Sequence, residues 1–526
     1  MKERLIADWL TKAGERGGLD VVFCQILLSD GCKILRAGHS PTEAGKDIIA
    51  LSRKGELQAY QVKSGNIDLK TFGQIQPQIT NLVEAAVSHP NVRDGLKHRP
   101  YLVTTGAFSE PVQRLVQDLN NSWRKRKFKP LTLIGGSDLQ PDLMKLAADF
   151  WPIEPPDIRS FLTLYLAEGI GDFDSVSFAE FLKRLFPEQG LSKTSVSRRI
   201  AAAGIFASYL LESFNLKTDH WSTFRGWTLT AAHQAWAAET YDLPSAAWES
   251  SFALTKAAAA ASLKRLCEET LAERGLLPQG TELDEYTRAR NTIAASAVAA
   301  WHLIQLRHNF RPATTDLAVS LVDRLVRKER LWFWGESAIP NILAVAWLLD
   351  RSGQTLLGER VLLEIIGGLA KRNQQLSANA FPSPHESPDD VLTGMFQQFP
   401  PKQRKPTQIA PASWSIEPLI HLLARRLRRQ ALASQWSEIT RVDMATFSPA
   451  RSADMLLWRC RTGEEATRLA GKPQSWRDLL VASRTNQLSE LPSILRNDPD
   501  FSLMFMLSYP HRANRTLVKA LDTWFC

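Results

Sequence analysis

Three side chains in one short stretch of this sequence, Asp47, Gln61 and Lys63, are of types that together carry phosphodiester chemistry. A hard divalent cation such as Mg²⁺ takes oxygen ligands, commonly one or two carboxylates completed by water and substrate phosphate. Asp47 offers a carboxylate, Gln61 a side-chain oxygen, and Val62, between Gln61 and Lys63, a backbone carbonyl. A cation held there lowers the pKa of a bound water and offsets charge on the phosphate. A lysine beside it orients that water or stabilises the developing negative charge.

The elements that must position these residues are legible as a hairpin. Residues 48–51 and 58–64 read as strands around the polar turn SRKGE, 52–56. Side chains alternate along a strand, so Gln61 and Lys63 share one face while Tyr60 and Val62 share the other. With the turn centred on Lys54, Asp47 falls across from Gln61 on the same face. Spacing alone leaves a second reading open, an ordinary hairpin with polar residues on its wet side.

Around the hairpin, residues 1–150 alternate helix and strand. Leu5, Ile6, Trp9 and Leu10 form a helical apolar stripe stopped by Gly17-Gly18. Strands are expected at 21–28, 101–104 and 131–134, helices at 75–88 and 110–120, and a turn at Gly135-Gly136. That order predicts an α/β sheet flanked by helices. WPIEPP reads as a stiff linker within 151–157, beyond which the strand signal nearly disappears. Residues 158–245 are expected to be helical: one helix at 178–186, a second at 193–211 bearing Lys193, Arg198 and Arg199, and a small wing at 221–230. That pattern fits either a winged helix-turn-helix, whose second helix enters the major groove, or a helical hairpin within a larger array. Residues 246–526 read as an irregular all-α array with a Pro-rich loop at 381–411 and no repeat period.

The stretch GKDIIALSRKGELQAYQVKSG, 45–65, resembles the core motif of the PD-(D/E)XK nuclease superfamily, in particular its Mrr-like branch, where Gln replaces the second acid. The likeness extends to YLVTTGAFSE at 101–110 and LTLIGGSDL at 131–139, and so covers residues 1 to about 150. It implies a restriction-endonuclease-like fold, Asp47, Gln61 and Lys63 as catalytic positions, and Mg²⁺ or Mn²⁺ held by Asp47, Gln61 and Val62. Members also use an acid from the first helix; Glu3 matches it, with Glu15 and Glu43 competing. His39 either enters the site from its loop or is surface. The implied activity is a metal-dependent DNA endonuclease, a restriction or anti-phage effector with a helical sensor or assembly region. The alternatives are a non-catalytic DNA-binding protein, and a helical scaffold whose nuclease is activated by a protein partner or by self-association.

Bulk properties bound these readings. The chain has 526 residues and a formal net charge of +9, a balance that permits a polyanionic partner without naming one. Residues 1–150 hold 21 lysines and arginines against 16 acids, a surplus of five. The densest run, Arg124-Lys125-Arg126-Lys127 with Lys129, is either a phosphate-binding segment or a solvated helix end. Arg425, Arg426, Arg428 and Arg429 form a second cluster, facing nucleic acid or solvent. The five cysteines lack zinc spacing and suit a reducing compartment. No apolar run spans a membrane and no secretory leader is evident, so a cytoplasmic protein is expected. No GK[ST] occurs, which argues against an ATP-driven translocase and leaves no nucleotide-binding motif.

Overall fold

The computed structural model describes residues 2–15, 19–37, 45–87, 92, 96–148, 161–165, 173–187, 190–272, 284–374, 382, 384–396, 412–426, 428–433, 436–439, 442–460, 463–468, 475–485 and 488–526. The chain folds as two compact units, Met1–Ala259 and Ala260–Cys526.

The first unit opens with α1 (Lys2–Lys12) and α2 (Asp20–Ser29) and then enters a five-stranded sheet. Its strands are β1 (Lys33–Ala37), β2 (Ile48–Leu51), β3 (Leu57–Lys63), β4 (Arg99–Thr104) and β5 (Thr132–Ile134). They lie in sequence order, β1 to β3 antiparallel and β3 to β5 parallel. The parallel half requires crossovers, which α3 (Leu69–Glu84) and α4 (Glu110–Lys125) supply before α5 (Gly136–Ala148). Ile49, Leu57, Ala59 and Leu102 pack against Phe72, Ile79 and Leu82 of α3 and Val112 and Val116 of α4. Each buried Leu, Ile, Val or Phe here contributes roughly 1.5–3 kcal/mol relative to exposure. Across the sheet, Phe23 of α2 meets Tyr60 edge-on at 5.1 Å, and Tyr60 stacks on Tyr101 at 4.7 Å.

Residues 21–28, expected as a strand, belong to α2. Residues 21–27 are all buried, so the sequence carries no amphipathic period to separate a buried helix from a buried strand. One side of α2 faces Tyr60, and another packs along α7 (Lys193–Leu216), where Gly204 leaves room for Gln25. Gln25 Oε1 also accepts the Ser251 hydroxyl at 3.0 Å.

The helical part of the first unit comprises α6 (Ser175–Leu185), α7, α8 (His220–Thr240) and the start of α9 (Glu249–Ala272). The wing expected at 221–230 is therefore wrong, since those residues lie in α8. Their threonines and aromatics favour strands in isolation. Here Asp219 caps the helix by accepting from Ser222 N, and Thr228 and Thr230 donate to the Phe224 and Gly226 carbonyls. Phe224, Trp227 and Trp236 are fully buried, and Gly226 packs so tightly on Leu211 that a Cβ would come within 2.3 Å. The linker expected at 151–157 lies outside the described residues.

The second unit is mainly helical, with α10 (Asp284–Arg307), α11 (Thr315–Arg327), α12 (Ile339–Arg351) and α13 (Thr355–Gln374). α14 (Pro388–Phe396) lies within the stretch expected to be a Pro-rich loop; Ser387 accepts from Asp390 N, and Pro388 opens the helix. The remainder of 397–411 is outside the described residues. A small sheet, β6 (Ala412–Ser413), β7 (Asp443–Pro449) and β8 (Gly463–Arg468), follows where no strand was expected. β8 reads GEEATR and has no apolar alternation; its pairing with β7 is tertiary. Between these strands lie α15 (Ile416–Arg425), α16 (Arg429–Ala433) and α17 (Trp436–Ile439). The chain closes with α18 (Trp476–Arg484), α19 (Ser493–Asn497), α20 (Pro499–Ser508) and α21 (Arg515–Phe525). Among the described residues, no helix is long and apolar enough to cross a membrane.

Candidate active site

β2 and β3 pair with Ile48 opposite Tyr60 and Leu51 opposite Leu57, so the ladder projects Asp47 across from Gln61 as the spacing predicted. Asp47 N donates to the Tyr60 carbonyl at 2.8 Å, extending the ladder by one residue. Its carboxylate then replaces the next backbone acceptor. Asp47 Oδ2 accepts from Gln61 Nε2 at 2.6 Å and from Val62 N at 2.7 Å. Asp47 and Gln61 are only 6% and 3% exposed.

That pairing commits the amide of Gln61. With Nε2 donating to Asp47, Oε1 points away, buried and without a hydrogen-bond partner. A buried amide oxygen with no donor costs about 1–3 kcal/mol. Turning the amide over would set Oε1 against the Asp47 carboxylate. Gly45 forms the wall beside this oxygen. A Cβ at Gly45 would lie 2.4 Å from the Gln78 carbonyl oxygen and 3.3 Å from Gln61 Oε1, and its φ of +74° also favours glycine.

Lys63, on the same strand face as Gln61, ends β3. Its Nζ pairs with Glu15 Oε2 at 3.2 Å, the lysine side chain being 18% and the glutamate 33% exposed. The exit of β3 is clamped to that of β4, where Gly65 N donates to Thr105 Oγ1 at 2.8 Å and Gly106 packs directly on the Gly65 backbone. Lys46 is 2% exposed and donates to the Asn81 carbonyl at 3.0 Å. Burial, with Arg36 nearby, pushes its pKa down to about 8.

The residues present fit a hard cation. Asp47 supplies a carboxylate, Gln61 Oε1 an unmet neutral oxygen, and Val62 a carbonyl in the same strand. Among the described residues no three His, Cys, Asp or Glu side chains gather at one point. Of the candidate acids, Glu15, in the turn after α1, is the one seen to reach the site, through Lys63. Glu3 falls in α1 with its side chain outside the described set, as are His39 and Glu43 altogether. The pairing of Glu15 with Lys63 had no signal in the sequence beyond an acid lying near α1. Glu212, which holds the Gly14 N–H at 2.8 Å beside Glu15, was not anticipated at all.

The basic residues fare differently from one another. Arg126 forks onto Glu84, 2.6 Å to each oxygen, and holds that carboxyl below the usual range. Arg124 bonds Asn121, while Lys127 closes α4 in a left-handed turn at φ 65°. Lys125, Lys127 and Lys129 are exposed. At the start of α7, Lys193 is tied to Asp242, and Arg199 donates to the Leu185 carbonyl at 2.7 Å. Arg198 is exposed and also has an interaction partner. The second arginine cluster divides: Arg425 and Arg426 are largely buried and pair with Asp522, Arg426 also with Asp350, whereas Arg428 is partly exposed beside Glu359 and Arg429 is exposed.

No family model, curated protein or solved structure matches this chain.

Proposed function

We propose that the sheet-bearing part of the first unit is a metal-dependent DNA endonuclease site of the Mrr-like PD-(D/E)XK kind. The observation that carries this reading is the Asp47–Gln61 pair, which leaves a buried amide oxygen without a donor one strand step from Lys63. The five-stranded mixed sheet with helices on both faces is compatible with the restriction-endonuclease-like fold.

In this reading Asp47, Gln61 and the Val62 carbonyl hold Mg²⁺ or Mn²⁺, which when bound supplies an activated water and offsets phosphate charge. Val62 N and Gln61 Nε2 orient the Asp47 carboxylate, and the absence of a side chain at Gly45 avoids crowding Gln61 Oε1. Lys63 places its ammonium on the same face, where a scissile phosphate gains negative charge. Glu15 fixes that ammonium when no substrate is present. The wider role, a restriction or anti-phage effector whose helical regions recognise a target or a partner, rests on analogy with nucleases fused to large extra regions.

The test is to incubate the full-length protein with plasmid, linear duplex and single strands in Mg²⁺ or EDTA. Metal-dependent nicking that disappears in Asp47→Ala is the expected result. Equal cleavage by that variant, prepared free of wild-type enzyme, removes the site assignment.

A further inference from the structure

Glu212 lies on α7, 198 residues along the chain from the backbone group it holds. It is 4% exposed, and a buried carboxylate is retained only when hydrogen bonds or charge partners offset its desolvation. Its Oε1 accepts the Gly14 N–H at 2.8 Å. Gly14 begins the turn that leaves α1, and its own carbonyl accepts from Leu19 N at 2.9 Å, so both polar groups of this residue are spoken for. The next residue is Glu15, whose Oε2 meets Lys63 Nζ at 3.2 Å. A parallel apolar contact supports the same geometry, with the rings of Trp9 on α1 and Tyr209 on α7 4.6 Å apart, one helical turn before Glu212.

These links run without a gap from α7, through the turn after α1, to the last residue of β3. We infer that Glu212 is a positioning residue: by holding Gly14 it sets Glu15, and through Glu15 it sets where the Lys63 ammonium sits. The inference deepens the nuclease reading and rests on it for its catalytic meaning. Lys63 has a long, freely rotating side chain, so an unanchored ammonium samples many placements. Anchoring it through a backbone amide, rather than through another mobile side chain, uses the stiffest group available. The helical layer thereby acts on the candidate site without touching substrate.

Two readouts test this on the full-length protein. The first is labelling by an amine-reactive reagent at a single fixed pH, with Lys63 quantified by peptide mass spectrometry against exposed Lys70; it does not depend on cleavage. Glu15→Gln frees Lys63 and should raise its labelling several-fold, and Glu212→Ala should raise it to a similar level. Glu212→Gln, whose amide oxygen can still accept from Gly14 N–H, should restore the wild-type value. Should Glu212→Ala fail to fold, Glu212→Asp keeps the charge but withdraws it from Gly14, and the same rise is expected. The second readout is cleavage kinetics, where Glu212→Ala or Glu212→Asp should lower kcat about 10- to 100-fold with KM unchanged. Wild-type Lys63 labelling in the folded Glu212→Ala or Glu212→Asp protein overturns the inference, as does unchanged labelling in Glu15→Gln. If the labelling pattern appears but no variant or wild-type protein cleaves any nucleic acid, the placement of Lys63 by Glu212 stands and the nuclease reading falls.

Discussion

Two buried polar clusters, one in each unit, differ in a way that separates architecture from chemistry. In the second unit Arg425 and Arg426 face Asp350 and Asp522, two guanidiniums against two carboxylates, at 2.6–3.1 Å. Opposite charge is matched to opposite charge, and the network ties α12, α15 and α21 together. In the first unit the Asp47 carboxylate is set against a neutral amide and a peptide N–H, and the other end of that amide is left bare. Charge is balanced in the first arrangement, although Asp350 Oδ1 is itself buried without a hydrogen-bond partner. In the second the unmet acceptor is a neutral amide oxygen whose own N–H is committed to a carboxylate, and such exceptions in a native interior call for a reason. A ligand that brings positive charge to Gln61 Oε1 is such a reason.

If the contrast is sound, substitutions in the two clusters should fail in opposite ways. Arg426→Met leaves Asp350 and Asp522 buried with their shared guanidinium removed. Breaking a buried pair from one side costs about 3–5 kcal/mol. Denaturant unfolding should register a loss of that size in the second unit, and a loss below about 1 kcal/mol would reduce the network to incidental pairing.

Gln61→Leu is the opposite experiment. It deletes one hydrogen bond to Asp47 but also deletes the unmet oxygen, so stability should change by no more than about 1 kcal/mol in either direction. Metal-dependent cleavage should nevertheless fall at least about 100-fold, the scale seen when a group aimed at developing charge is removed. A variant that keeps wild-type cleavage would place Gln61 among structural polar residues, alongside the arginine network.

The smallest effect concerns the basic segment after α4. Arg126 is held by Glu84, whereas Lys125, Lys127 and Lys129 are exposed. Replacing those three lysines with alanine should weaken duplex binding regardless of sequence and flatten its salt dependence, by about 0.9 in log–log slope for each phosphate that is no longer neutralised. Arg126→Ala should leave the slope nearly unchanged. A triple variant with an unaltered slope returns the segment to a solvated helix end, to which the basic last turn of α4 is already suited.

What could be read before folding divides along physical lines. The Asp47–Gln61 register was legible because strand side chains alternate with a period of two and a short polar turn leaves one sensible centre. β4 and β5 were legible from short apolar runs bounded by turn signals, and α4 from the helical period of Val112, Val116 and Trp123 in an otherwise polar segment. α2 and residues 221–230 of α8 were misread because a helix buried on every side loses its amphipathic period, leaving local propensity as the only cue. Arg425 and Arg426, at the end of α15, looked like an interaction surface because their carboxylate partners sit elsewhere in the chain, on α12 and α21.

The sequence by itself determined which chemistry the hairpin could hold: an acid, an amide and a lysine on one strand face, spaced by a local rule that needs no distant partner. Tertiary structure decided everything that depends on residues far apart in the chain. It chose Glu15 as the partner of Lys63, brought Glu212 across 198 residues to Gly14, and set the Gln78 carbonyl over Gly45 so that the Gln61 oxygen is enclosed. The physical reason is one of range. Alternation and turn geometry act over a few residues and are written in order along the chain, while burial and charge pairing are properties of a place that exists only once the chain has closed around it.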